Sequence, residues 1–286
     1  MCEQDDLDEF AQRGEWTRRQ FGAMALSAGL LAMLPKSAHA TETTGEDVDI
    51  STPDGVADAY IVHPLNGKFP AVLIWPDIFG LRPAFRAMAT RLAESGYTVL
   101  VINPFYRVRK APTSPEHADF NDPATRDALM ALAHSLTPTT AATDARAFVT
   151  YLDAHAAVDV KRKMGTTGYC MGGPLVLRTA AARADRIGAA ATFHGGGLVT
   201  KEADSPHLLI PQTKARYLIA IAANDDEREP NSKTVLRETF ERAHLQAEVE
   251  VYAGTQHGWC PPDSIVYNRE QAEKAWARLL VLLNGA

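Results

Sequence analysis

Cysteine is scarce in this chain of 286 residues: Cys2, Cys170 and Cys260 are all there is. No CxxC pair and no dense, even cysteine spacing occurs, which removes a disulfide scaffold and a structural zinc site from consideration. Runs of positive charge are missing as well. No five Lys or Arg are consecutive and the formal net charge is -6, so nucleic acid is not an expected partner. Apolar runs stay short of the about 20 residues that a membrane span needs. No internal repeat or low-complexity tract is visible, and 19 Gly and 17 Pro are too few for a fibrous or disordered chain. What is there is an ordinary globular composition, 46% hydrophobic and 22% charged. The length suits one α/β domain of roughly 200–250 residues behind a short leader.

Thr17-Arg18-Arg19-Gln20-Phe21 opens an uncharged stretch from Gly22 to Leu34, rich in small and apolar residues, which ends at Pro35. Ser37-Ala38-His39-Ala40 then supplies the small residues that a signal peptidase accepts. The pattern predicts a twin-arginine signal peptide over residues 1–40, with the twin-arginine export machinery as a transient partner. The mature domain, 41–286, is then expected in the periplasm or secreted. An amphipathic first helix is the bland alternative, and it lacks a polar face; an uncleaved anchor is another. Cleavage removes Cys2 and leaves Cys170 and Cys260 in an oxidising compartment, where nearby thiols can pair.

Beyond the leader, short apolar runs alternate with helical patterns. Val48 to Ile50 and Ala59 to Val62, split by Pro53-Asp54-Gly55, predict a hairpin. Ala71 to Trp75, Tyr97 to Ile102, Lys163 to Gly168, Ile187 to Phe193, Tyr217 to Ala222 and Glu248 to Tyr252 read as strands. Pro83 to Glu94, Thr143 to Ala154, Met171 to Ala184, Lys233 to His244 and Arg269 to Leu283 read as helices. Strands alternating with helices of this length predict right-handed crossovers and an α/β fold: a mainly parallel sheet with helices on both faces. Residues 107–140, rich in Pro, Asp and Thr, interrupt the alternation as a surface insertion or an excursion over the site.

Gly168-Tyr169-Cys170-Met171-Gly172-Gly173 lies between a predicted strand and a helix, matching a nucleophile elbow with Cys in place of Ser. Glycines two residues either side of Cys170 suit a turn so sharp that side chains there collide. The turn also sets Cys170 at a helix N-terminus, which favours thiolate. His257, in Gly254-Thr255-Gln256-His257-Gly258-Trp259, follows a strand and is placed to act as general base. Asp225 or Asp226, just past another strand end, can orient it; counting from the strand favours Asp225 and counting back from Pro230 favours Asp226. Nucleophile, acid and base thus fall in the order of α/β-hydrolases. Singly, each has a structural reading: a buried Cys, a surface His, a solvated or capping Asp.

With these motifs, and with Pro76-Asp77-Ile78-Phe79-Gly80-Leu81 and Asn103-Pro104-Phe105-Tyr106 after successive strands, the chain resembles the dienelactone hydrolase family over nearly all of residues 41–286. The resemblance implies an α/β-hydrolase fold and a carboxylic ester or lactone hydrolase working through a thiol acyl-enzyme without metal or organic cofactor. It implies Cys170, His257 and Asp225 as the triad and the N–H groups of Ile78 and Met171 as the oxyanion hole. Asp77, Tyr106 and Trp259 are expected at the substrate. Two positions depart from the family's best-known members: Asp77 stands where they carry Glu, and Pro261 where they carry a carboxylate-binding Arg. Arg82, Arg107 and Arg109 read as surface arginines, with an anion contact as the alternative. A thioesterase or general esterase on the same triad, and a non-catalytic thiol sensor pairing Cys170 with Cys260, are the rival readings.

Overall fold

The computed structural model describes residues 40–116 and 118–286; the leader expected over residues 1–40 lies almost wholly outside them. Eight strands form one sheet: β1 (Thr43–Thr52), β2 (Gly55–Pro64), β3 (Ala71–Trp75), β4 (Thr98–Ile102), β5 (Met164–Tyr169), β6 (Ile187–Phe193), β7 (Arg216–Ala222) and β8 (Ala247–Tyr252). Their spatial order is β1-β2-β4-β3-β5-β6-β7-β8. β1 pairs antiparallel with β2 and β2 with β4, and every other neighbour is parallel. Between the strands run α1 (Pro83–Glu94), α2 (Pro123–Ala133), α3 (Pro138–Ala154), α4 (Gly172–Ala182), α5 (Ala223–Arg228) and α6 (Ser232–Arg242), and α7 (Arg269–Asn284) follows β8. This is the mainly parallel α/β sheet that the alternation predicts, in the α/β-hydrolase form that the resemblance implies.

Continuous apolar strands work here because both sheet faces are covered. Successive side chains point to opposite faces, so Leu73 and Trp75 of β3 join the core under α3, α4 and α6. Val72 and Ile74 join the core under α1 and α7. Truncating a fully buried side chain such as Leu73 to Ala costs about 2–5 kcal/mol. The one polar atom of Trp75 is satisfied, its Nε1 donating to Thr179 Oγ1 of α4 at 3.0 Å.

After β3 the chain steps to β4 on one side, then returns to β5 on the other. That reversal opens a crevice at the carboxyl ends of β3 and β5, where open α/β sheets bind ligands. Residues 107–140 contain a helix, α2, capped by the Asp122 side chain on Thr125 N–H and burying only Leu129 and Leu132. Ahead of it the Thr113 and Ser114 hydroxyls donate to Phe79 O at 3.2 and 3.1 Å, so the insertion is fastened to the loop that follows β3.

Candidate active site

Cys170 sits directly after β5 with φ +52°, a left-handed conformation for a residue that carries a side chain. The price of that strain is met by its surroundings: Cys170 N–H donates to Phe193 O and Gly173 N–H to Cys170 O, both at 3.0 Å. A methyl group on Gly168 would fall inside the backbone of Gly172, and one on Gly172 would fall on the carbonyl of Trp75. The elbow therefore needs glycine at both positions, and the second contact brings the loop after β3 against the turn. Met171 follows Cys170 at the start of α4. Ile78, buried, lies on that neighbouring loop. The two residues expected to supply oxyanion donors thus sit on two elements, Met171 next to Cys170 and Ile78 on the loop after β3.

The His257 loop follows β8 and is latched to the end of β7. His257 N–H donates to Asn224 Oδ1 at 2.9 Å, Ala223 N–H donates to Thr255 Oγ1 at 3.1 Å, and Thr255 Oγ1 donates to Tyr252 O at 2.7 Å. The ring then lies between two partners, Nε2 at 3.0 Å from Cys170 Sγ and Nδ1 at 2.7 Å from Asp225 Oδ2. Burial works against a charge on this ring, but the hydrogen bonds to Asp225 and Cys170 outweigh it and raise the His257 pKa to about 10. Asp225 is carried by α5, the short helix that begins immediately after β7. Asp226 turns away and accepts from Lys233 Nζ at 2.5 Å, so only one of the two aspartates faces His257.

Other expected site residues are placed differently. Trp259 is fully buried, stacked on Tyr252 and edge-on to His194, so it supports the loop from beneath and offers no surface to a substrate. Tyr106 is buried too, its hydroxyl shared between Thr52 at 2.7 Å and Asp144 at 2.8 Å beside the β1–β2 turn. Asp77 is buried with both oxygens held by Arg82, at 2.6 and 2.9 Å, and the side chain hydrogen-bonded to Cys170 among the described residues is His257. Arg82 and Arg107, read as surface arginines, are mostly buried in carboxylate pairs, Arg107 with Asp54 and Asp144. Arg109 is exposed. Cys170 and Cys260 are both free thiols, and Cys260 is buried beside Tyr169 and Tyr267, so the two are not joined to each other.

Sequence reasoning missed Asn224, Asp263 and His194. The last follows β6 with φ +42°, is 1% exposed, and sets its ring edge-on to His257 with centroids 5.2 Å apart. Burial, helped by the positive His257 and Arg82, lowers its pKa well below the ordinary histidine value. A histidine closing an otherwise apolar strand was the one signal available for it.

Among known proteins, the chain is 28% identical over 250 residues to a Bradyrhizobium protein described as a "probable 2-oxo-3-(5-oxofuran-2-ylidene)propanoate lactonase", covering 85% of this chain and 96% of the relative. A Rhodococcus opacus carboxymethylenebutenolidase is 34% identical over 122 residues, 43% of this chain and 42% of that one. A solved structure from Klebsiella pneumoniae, described as a "putative dienelactone hydrolase", superposes with a TM-score of 0.74 at 22% identity, covering 86% of this chain and all of its own. The dienelactone hydrolase family model matches residues 57–286, and the chain belongs to that family of ester and lactone hydrolases.

Proposed function

We propose that the protein hydrolyses a small carboxylic ester or lactone through a thiol acyl-enzyme formed on Cys170. The observation that carries this reading is the continuous contact Cys170 Sγ–His257 Nε2–Asp225, at 3.0 and 2.7 Å, on an elbow held open by its glycines. A ring whose pKa stands at about 10 carries both protons at neutral pH. It donates one to Asp225 and directs the other at Cys170, whose sulfur is the nucleophile as thiolate. The thiolate attacks the carbonyl carbon, and the oxyanion is received by the N–H groups of Met171 and Ile78, each such donor being worth roughly 2.7–4 kcal/mol. His257 gives its Nε2 proton to the departing alkoxide, which in a lactone stays tethered as a hydroxyl. The neutral ring then takes a proton from water as it attacks the thioester, and the acid leaves with Cys170 restored.

The test is a burst assay on p-nitrophenyl acetate and a panel of lactones and thioesters, with the 41–286 protein beside Cys170→Ala and His257→Ala. Loss of turnover in both variants is expected. Unchanged turnover in Cys170→Ala would remove the thiol mechanism, and a strong preference for thioesters in the panel would move the substrate class. We also propose export by the twin-arginine route, motivated by Arg18-Arg19 and the stretch Gly22 to Leu34. Fractionation of cells expressing the full chain and an Arg18→Lys/Arg19→Lys variant tests it, cytoplasmic protein in both being the contrary result.

A further inference from the structure

Arg82 stands at the end of the loop that carries Ile78, and its side chain is 14% exposed. Every N–H of the fork is used. Nη1 and Nη2 meet the two oxygens of Asp77 at 2.6 and 2.9 Å, Nε and Nη2 meet the two oxygens of Asp263 at 2.7 and 3.0 Å, and Nη1 also reaches Gly80 O at 3.4 Å. The plane lies against the rings of Phe79 and Phe85, 5.4 and 4.9 Å from their centroids. Asp77 in turn accepts from Phe79 N–H at 3.0 Å on its side chain and from Gly80 N–H at 2.9 Å on its carbonyl. The loop from Asp77 to Arg82 is therefore closed on itself around Ile78. Asp263, on the loop that also carries His257, braces it from outside.

We propose that Arg82 is a positioning residue for the oxyanion hole, fixing the Ile78 N–H by closing its loop and tying that loop to the His257 loop. The chemistry of the pair explains why arginine is used. Two planar forks on two carboxylates demand a guanidinium, and lysine, a point charge with three donors, cannot reproduce them. An N–H aimed at a developing oxyanion matters only in the acyl-transfer transition state, and a displacement of about 1 Å there can cost about 10²-fold in rate. The inference rests on the thiol-hydrolase reading above, because it concerns the same oxyanion.

Two reactions of Cys170 separate this role from a merely structural one. Acylation by p-nitrophenyl acetate builds an oxyanion. Alkylation by iodoacetamide forms the S–C bond as iodide leaves and builds none. In Arg82→Lys the burst rate constant is expected to fall about tenfold or more, while the alkylation rate stays within about twofold of wild type. Leaving Asp77 buried and unpaired is costly, so the double variant Arg82→Gln/Asp77→Asn, which removes both charges, guards against misfolding and is expected to show the same split. Parallel loss of both reactions, or no loss of acylation, overturns the proposal. Absence of Cys170-dependent turnover in wild type overturns the hydrolase reading and this proposal together, whereas failure of the split in an active enzyme overturns this proposal alone.

Discussion

Two histidines meet edge to ring at the carboxyl end of the sheet, and their surroundings drive them in opposite directions. His257, on the loop after β8, has a carboxylate on one nitrogen and a sulfur on the other, and its pKa rises to about 10. His194, at the end of β6, is 1% exposed with no hydrogen-bond partner on either ring nitrogen among the described residues, and its pKa falls well below 6.5. Burial opposes the charge in both. What decides the sign is whether a partner of opposite charge lies within hydrogen-bond reach. The two positions are also coupled: a proton on His257 repels one on His194, so the neutral ring is the compatible neighbour for a charged one.

The largest expected effect comes from making His257 resemble His194. Asp225→Asn removes the charge that holds Nδ1, and kcat is expected to fall about 10³–10⁴-fold, as loss of an orienting aspartate does in other triads. The alkaline limb of kcat/KM should move down from about pH 10 as the His257 pKa drops. Asp226→Asn, next along the chain but paired with Lys233, is expected to change stability by no more than about 1 kcal/mol and to leave the rate and the alkaline limb in place. Equal kinetic losses in the two variants would break the comparison.

A smaller effect is read in stability. The folded His257 pKa of about 10 stands above the unfolded value near 6.5, so its contribution is complete below pH 6.5 and is lost as pH rises through 10. Urea midpoints of wild type should decline across that window, and His257→Gln should flatten the decline. A variant with the wild-type slope would place the titration elsewhere.

How far these features could be read in advance depends on whether their cause is local. The strand Ala71–Trp75 and the helix Pro83–Glu94 were read with the bounds they have, because a buried parallel strand is a continuous apolar run and Pro at a first turn marks a helix start. The elbow was legible because steric exclusion fixes its glycines in sequence. α2 was not, with two buried residues too few to set a period, and α5 was not, since Ala-Asn-Asp-Asp-Glu-Arg buries nothing. The β1–β2 hairpin extends well beyond the residues that announced it, because ladder pairing continues through polar edge positions. Arg82 and Asp263 are 181 positions apart, and nothing local records their pairing. Trp259 and Tyr106 follow strand ends where substrates bind, but aromatic rings with this much surface are drawn under the loops instead.

His194 supplies the last and smallest test, and its sign is opposite to that of His257. Its folded pKa is depressed, so above the unfolded value near 6.5 both states are neutral there and its contribution to stability is complete. As pH falls below 6.5 the unfolded chain takes up a proton that the buried ring refuses, and stability declines toward the depressed folded value. His155 and His207, also lowered by burial, add a background of the same sign. His194→Phe keeps an aromatic edge against His257 and removes the site of protonation. Between pH 6.5 and 5, above most carboxylate titrations, the variant should lose stability less steeply than wild type while its activity at neutral pH changes little. An unchanged acid slope would mean that His194 reaches a proton in the folded state, and a large loss of activity at neutral pH would mean that its nitrogens, and not its ring edge, serve His257.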